Sequence, residues 1–193
     1  AHRGPDFQNY WYDNNIKTAL YHTRLSIIDE STNGNQPMFS SNESMIIVYN
    51  GEIYNFPEIK KDLQNKGIQF KSNSDTEVIL ESISYYGIFN TVKKLDGMFS
   101  FCLFDIKKNK LFLVRDSVGI KPLYWGKQNN LLIFASELKT IQKFKQFNLN
   151  IDNQIIKSYL KYGYIPSPYS IFKDIYKLKP GTILEFDSNN NIK

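Results

Sequence analysis

Two hydrophobic rhythms alternate along the chain. Residues 45–48 form a short continuous apolar run, which predicts a buried strand reaching Tyr49. From residue 56 to about 66 the spacing becomes helical, with Asn55 and Glu58 as a capping pair, Pro57 in the first turn and Gly67 as the stop. Ser74-Asp75-Thr76-Glu77 reads as a capping box opening a second helix through Val78, Ile79, Leu80 and Ile83, and residues 68–70 before it predict a short strand. Upstream, Trp11-Tyr12 and residues 16–22 predict two strands joined at Asp13-Asn14-Asn15. Beyond Gly97 the period shortens to two: residues 98–105, 111–115, 123–125 and 131–135 predict an antiparallel meander punctuated by lysine- and asparagine-rich turns. Residues 98–104 are apolar on both alternating faces, so that strand belongs inside a layered structure. A short helix capped by Ser136, a helix over 152–162 ending at Gly163, an extended stretch over 165–168 and a strand over 182–186 after Lys179-Pro180-Gly181 complete the pattern.

Composition narrows the function classes. The chain has 193 residues, 41% of them hydrophobic and 15% aromatic, enough for a substantial core. No apolar run is long enough to cross a bilayer and no signal-peptide core precedes His2-Arg3-Gly4, which predicts a soluble cytoplasmic protein with no membrane partner. The net charge of +5 is spread over scattered lysines, the signature of a solvated surface and not of a nucleic-acid footprint. One cysteine and two histidines leave no metal cluster to expect. Cys102, between Phe101 and Leu103, reads as a small buried hydrophobe.

Candidate chemistry sits where the strand over 45–49 runs into Asn50-Gly51-Glu52, placed by the pattern at a strand-to-helix turn. Asn-Gly between apolar runs is commonly a tight hairpin turn; alternatively, the Asn50 amide and the Gly51 N–H aim two donors at one point, as an oxyanion hole does. Asp75, in the first turn of its helix, is favoured as a carboxylate by the helix dipole, and either caps that helix or holds a cation. Arg24 can clamp a carboxylate while Glu52 and Asp75 hold an ammonium, a set that describes an amino-acid amide such as glutamine.

These positions fall within ordered motifs. His2-Arg3-Gly4-Pro5-Asp6, Arg24-Leu25-Ser26-Ile27-Ile28-Asp29, Gln36-Pro37-Met38, Asn50-Gly51-Glu52-Ile53-Tyr54-Asn55, Ser74-Asp75-Thr76-Glu77, Gly97-Met98-Phe99, Arg115-Asp116 with Gly119-Ile120-Lys121-Pro122-Leu123-Tyr124, and Ala135-Ser136-Glu137 follow one another along the chain. Together they resemble the glutaminase domain of glutamine-hydrolysing asparagine synthetases.

The resemblance implies a class II amidotransferase of the α+β, N-terminal-nucleophile hydrolase-like class, an αββα four-layer sandwich of antiparallel sheets, here lacking its first strand. It implies residues 1–151 as an N-terminally truncated glutaminase domain and 152–193 as its end and the approach to an ATP-pyrophosphatase synthetase domain. Carried over by position, Arg24 binds the glutamine carboxylate, Leu25, Ser26, Ile27 and Ile28 line the pocket, Asn50 and Gly51 form the oxyanion hole, and Glu52 and Asp75 hold the amino group. The partners implied are glutamine and the synthetase domain of the same chain, with homodimerisation left open. No cofactor is expected in these residues; ATP and Mg²⁺ are implied for the synthetase domain. The family's nucleophile is an N-terminal cysteine upstream of the His-Arg-Gly-Pro motif, so the 193 residues by themselves are expected to be inactive and less stable than a domain carrying that opening strand. Two alternatives stand beside this reading: the same domain serving another acceptor, such as a cell-surface sugar, or a catalytically dead glutamine-binding module.

Overall fold

Chain order in the computed structural model, which describes residues 3–188 and 191–193, begins with the hairpin β1 (Phe7–Asp13) and β2 (Thr18–Arg24). His2 of the first motif and Asn189-Asn190 of the tail lie outside the described residues. β2 starts two residues later than its apolar pattern suggests, because the Asp13 carboxylate accepts the backbone N–H groups of Asn15 and Ile16 and keeps Ile16 in the turn. Then follow β3 (Met38–Phe39), β4 (Met45–Ile53), α1 (Phe56–Asn65), α2 (Asp75–Tyr86), α3 (Ile88–Lys94), β5 (Gly97–Asp105), β6 (Lys110–Arg115), β7 (Tyr124–Gln128), β8 (Leu131–Ala135), α4 (Leu138–Ile141), α5 (Asn153–Tyr162), β9 (Ile175–Lys177) and β10 (Ile183–Phe186).

The strands form three antiparallel sheets: five strands in the order β10-β6-β5-β4-β3, three in the order β8-β7-β9, and the β1-β2 ribbon. The expected single meander is thus split between two sheets. Asp116, just past β6, is the reason: its carboxylate accepts the N–H groups of Val118, Gly119, Ile120 and Lys121, which turns the chain out of the first sheet before β7 begins. Residues 68–70 form no strand; Ile68 and Phe70 pack against Ile59, Leu63 and Val78 beneath α1 and α2 instead. Glu137, not Ser136, precedes the four-residue α4, and residues 165–168 enter a turn rather than an extended stretch. Asn55 is the N-cap of α1 but makes no capping bond, since its amide bridges the Lys94 carbonyl and the Asp96 N–H.

β5 explains the layering. Phe99, Phe101 and Leu103 point to one face, where they meet Ile47, Tyr49, Ile79, Leu80, Ile83 and Ile88 from β4, α2 and α3. Cys102 and Phe104 point to the other, against Ile46 and Val48 of β4, Leu20 of β2, Leu113, Leu123 and Phe186, with Trp125 and Phe134 of the second sheet alongside. A third core of Ile141, Phe147 and Ile175, with Leu138 packed against it, covers the far face of the second sheet. Helices, sheet, sheet and helix therefore stack as αββα, each buried aliphatic or aromatic side chain contributing roughly 1.5–3 kcal/mol of transfer free energy. Among the described residues no helix is long and apolar enough to cross a membrane.

The last strands tie the C-terminal residues into both sheets. β9 pairs with β7, and β10 pairs with β6 in register from Ile183 opposite Val114 to Phe186 opposite Leu111.

Candidate active site

Asn50, Gly51 and Glu52 lie within a nine-residue strand that ends at Ile53, and not at a strand-to-helix turn: they pair with Ser100, Phe99 and Met98 of β5. This settles the hairpin alternative, because no two-residue loop exists there. It also fixes which backbone groups face outward. Residues 44 and 54 bond to the β5 side, through Ile106 N–H to Ser44 O and Tyr54 N–H to Asp96 O, so by alternation the N–H and C=O groups of Met45, Ile47, Tyr49, Gly51 and Ile53 face the opposite edge.

That edge is open beyond Ile47, where the two-residue pairing with β3 ends. Side chains take over. The Tyr49 N–H donates to Gln36 Oε1 at 2.6 Å, the Tyr49 carbonyl lies 3.1 Å from His22 Nε2, and the Ile53 N–H donates to Asp75 Oδ2 at 3.0 Å. Between them, the Gly51 N–H has no partner among the described residues. It is an open donor between the outward N–H groups of Tyr49 and Ile53, both of which are occupied.

Gly51 is glycine for a reason other than that opening. A Cβ there would lie 2.7 Å from Phe99 Cα and closer still to the Met98 carbonyl oxygen, so the missing side chain lets β5 approach. Gly51→Ala should therefore destabilise the domain by ~1–3 kcal/mol through forced separation of β4 and β5, an effect readable in a urea unfolding midpoint.

Side-chain alternation puts Asn50 and Glu52 on the face of β4 that carries Ile46 and Val48, at the end of the inter-sheet core, where burial drops from Tyr49 to Asn50. Asp75 comes from the start of α2. Ser74 caps that helix by accepting the Thr76 N–H, while Glu77 turns away to accept from Lys71, Ser72 and the Ser72 hydroxyl, so the capping box is half formed. Asp75 does not serve as the cap: its Oδ2 accepts from the Tyr49 hydroxyl at 2.7 Å as well as from Ile53. It is only 5% exposed, and burial raises its pKa, opposed by those hydrogen bonds, with the neighbouring Glu52 charge adding to the rise. The electrostatic influence of Glu52 on Asp75 makes this surrounding favourable to a cation.

Arg24 is buried on β2 and holds the loop that follows. Its Nη1 donates to Ser31 O at 2.7 Å and Asn35 Oδ1 at 2.8 Å, and its Nη2 donates to the Asp29 carbonyl. The Nε–H and one Nη2–H have no partner among the described residues, and those are the groups left for a carboxylate. The carbonyl of Arg24 accepts from Asp6, whose carboxylate accepts the Ser26 N–H at 2.7 Å, so the 25–28 loop is held by its backbone while the side chains of Leu25 and Ile27 stand exposed. No hydrogen bond among the described residues joins Arg24 directly to Asn50, Gly51 or Glu52; they are linked through His22, Tyr49 and Gln36. A polar cavity of about 420 Å³ lies behind the loop, lined by Asp29, Ser31, Asn33, Lys60 and Lys71, and no predicted site residue lines it.

A family model described as glutamine amidotransferase domain matches residues 1–193. The chain belongs to the glutamine amidotransferase domain family. It is 41% identical, over 96% of its length, to a putative glutamine-hydrolysing asparagine synthetase 2 of Methanocaldococcus jannaschii, of which it covers 39%. It is 37% identical to glutamine-hydrolysing asparagine synthetase 1 of Bacillus subtilis, over 94% of the chain and 28% of that protein. It is also 35% identical to amidase chry2 of Gibberella zeae, over 95% of the chain and 26% of that protein. The chain thus spans between about a quarter and two fifths of these relatives. Among solved structures, the glutamine phosphoribosylpyrophosphate amidotransferase of B. subtilis superposes with a TM-score of 0.64 at 21% identity, over 92% of this chain and 34% of that one, a likeness that shows the shared fold. The αββα fold expected from the resemblance is the fold observed.

Two residues of this amidotransferase domain escaped the sequence reading. His22 alternates with Arg24 on β2, and Gln36 lies within a motif quoted only for its order; both reach the β4 edge. The i, i+2 spacing of His22 and Arg24 was the available signal.

Proposed function

We propose that this domain is the glutaminase half of a glutamine-dependent asparagine synthetase, releasing ammonia from glutamine for the ATP-driven amidation of aspartate. The observation that carries the reading is the Gly51 N–H, an unpartnered donor beside the Asn50 amide on an edge where the neighbouring outward N–H groups of Tyr49 and Ile53 are both taken. Two such donors stabilise the oxyanion formed when a thiolate adds to an amide carbonyl. The carbon–sulfur bond forms, the carbon–nitrogen bond breaks with proton transfer to the departing ammonia, and water then cleaves the thioester to glutamate. Arg24 takes the α-carboxylate on its remaining N–H groups; Glu52 and Asp75 take the α-ammonium; the backbone of Leu25, Ser26, Ile27 and Ile28 borders the pocket.

The attacking thiol is not Cys102. That residue is 1% exposed inside β5, and burial pushes its pKa well up. In this reading Cys102 has a packing role alone. The same reading takes residues 1–151 as the body of a class II domain and 152–193 as its end leading to a synthetase domain, with β9 and β10 supporting membership of that end in the same sandwich. ATP and Mg²⁺ belong to the synthetase domain in this scheme. The similarity to amidase chry2 favours a second reading in which the same domain feeds another acceptor.

Supplying the whole protein with glutamine, aspartate and Mg-ATP should give glutamate and asparagine together. Glutamate without asparagine would refute aspartate as acceptor, and no glutamate would refute the glutaminase assignment. Arg24→Ala should raise the KM for glutamine by roughly tenfold to a hundredfold, about 1.5–3 kcal/mol of lost charged contact. An unchanged KM would remove Arg24 from the carboxylate site.

A further inference from the structure

We infer that His22 is a positioning residue of the glutamine site, holding as a neutral imidazole the carbonyl of the peptide unit that leads into Asn50. The inference rests on the glutaminase reading above. Tyr49 is the last residue before the oxyanion donors whose outward groups are both anchored, and no strand anchors them: the N–H goes to Gln36 Oε1 and the carbonyl faces His22 Nε2. The Tyr49–Asn50 peptide plane also carries the Asn50 N–H, which by ladder alternation faces β5 opposite Ser100. One plane is thereby held from both sides, by β5 and by His22. Its orientation sets the direction in which the Asn50 side chain leaves the strand.

The protonation of the ring follows from its partner. A carbonyl only accepts, so Nε2 carries the proton and Nδ1 is a bare acceptor. Burial lowers the pKa of His22 to about 4, the bond to Tyr49 opposing the fall and the Arg24 charge adding to it, so the ring is neutral at physiological pH. Nδ1 is buried without a hydrogen-bond partner among the described residues. A leucine would fill this space between Leu20 and Arg24 with no orphaned nitrogen, but it would leave the Tyr49 carbonyl without a donor. The uncompensated nitrogen is the cost of placing a neutral donor at Nε2. Gln36 is the matching acceptor on the same residue, and its amide nitrogen is fixed in turn by Thr76 Oγ1 at 3.2 Å.

The test compares two amide substitutions in the whole protein. In His22→Gln the side-chain nitrogen can occupy the place of Nε2, whereas in His22→Asn it reaches only the place of Nδ1. Misplacing a catalytic donor acts on the transition state, so His22→Asn should lower kcat for glutamate release by roughly tenfold or more with the KM for glutamine nearly unchanged, and His22→Gln should recover most of it. Thermal melting of both variants should agree within a few degrees, which separates positioning from folding. Equal kcat in the two variants, or a rise in KM in place of the fall in kcat, would overturn the role of His22. A wild-type protein that releases no glutamate would instead refute the glutaminase reading from which this one starts.

Discussion

Asn50→Ala should lower kcat for glutamate release by ~10²–10³, the usual loss for one oxyanion-hole donor, while leaving stability within about 0.5 kcal/mol of wild type. The expectation follows from where Asn50 stands. Its backbone is fixed by β5, its side chain has no hydrogen-bond partner among the described residues, and it sits at the point where β4 leaves the buried core. Truncating it orphans no internal group, so the fold has little to lose. The rate has much to lose, because the Gly51 N–H would be left as a single donor against a developing negative charge. Steady-state kinetics beside a urea titration distinguishes this from a purely structural role. A variant with wild-type turnover would take Asn50 out of the site.

Asp116→Ala should cost ~3–5 kcal/mol of stability in a urea titration. Its carboxylate accepts from Val118, Gly119, Ile120 and Lys121 in the turn and from Phe99 in β5, and the residue is 1% exposed. The Gly119 N–H keeps its bond to the backbone carbonyl of residue 116, and the four donors orphaned at ~1–3 kcal/mol each would exceed that figure, but a surface turn can relax toward water and recover part of the loss. The damage would reach the site as well. Phe99, pinned from one side by Asp116, is the residue opposite Gly51 in the ladder. Burial alone would raise the pKa of Asp116, yet its backbone hydrogen bonds bring the net value below that of a free carboxyl. A depressed native pKa means that its contribution is complete above the unfolded value of about 4 and is lost as pH falls through the folded one. The stability gap between wild type and Asp116→Asn should accordingly hold from neutral pH down to about pH 4 and narrow as the pH falls further.

The strands of the central sheet were legible in the sequence; the mutual arrangement of the candidate site residues was less so. Two-sided apolarity of residues 98–104 predicted a strand between layers, and that is where β5 lies. The same alternation could not say that β7 and β8 belong to a different sheet from β5 and β6, since a strand has period two whichever sheet it joins. Asn50 and Gly51 were singled out as candidates by residue type and given the wrong backbone. Whether Gly51 points its N–H outward depends on its pairing parity with β5, set by contacts some fifty residues away in sequence. Asp75 was placed in the first helical turn, but its burial against Tyr49 and Ile53 comes from the packing of α2 on β4 and leaves no local trace. His22 was missed for a similar reason: its spacing from Arg24 puts the two on one face of the strand, but nothing local tells whether that face meets water or a neighbouring carbonyl.

The pairing of β10 with β6 and of β9 with β7 bears on how the chain is made. Phe186 is 1% exposed between the sheets, yet it is joined to a strand synthesised some seventy residues earlier. On the ribosome, the inter-sheet core must therefore wait with one wall incomplete until both final strands have emerged, its Trp125 and Leu113 flanks uncovered meanwhile. Such late, distant pairing makes for slow folding and a window of exposure to aggregation. Nascent chains released after β8 should be the ones that chaperones hold longest.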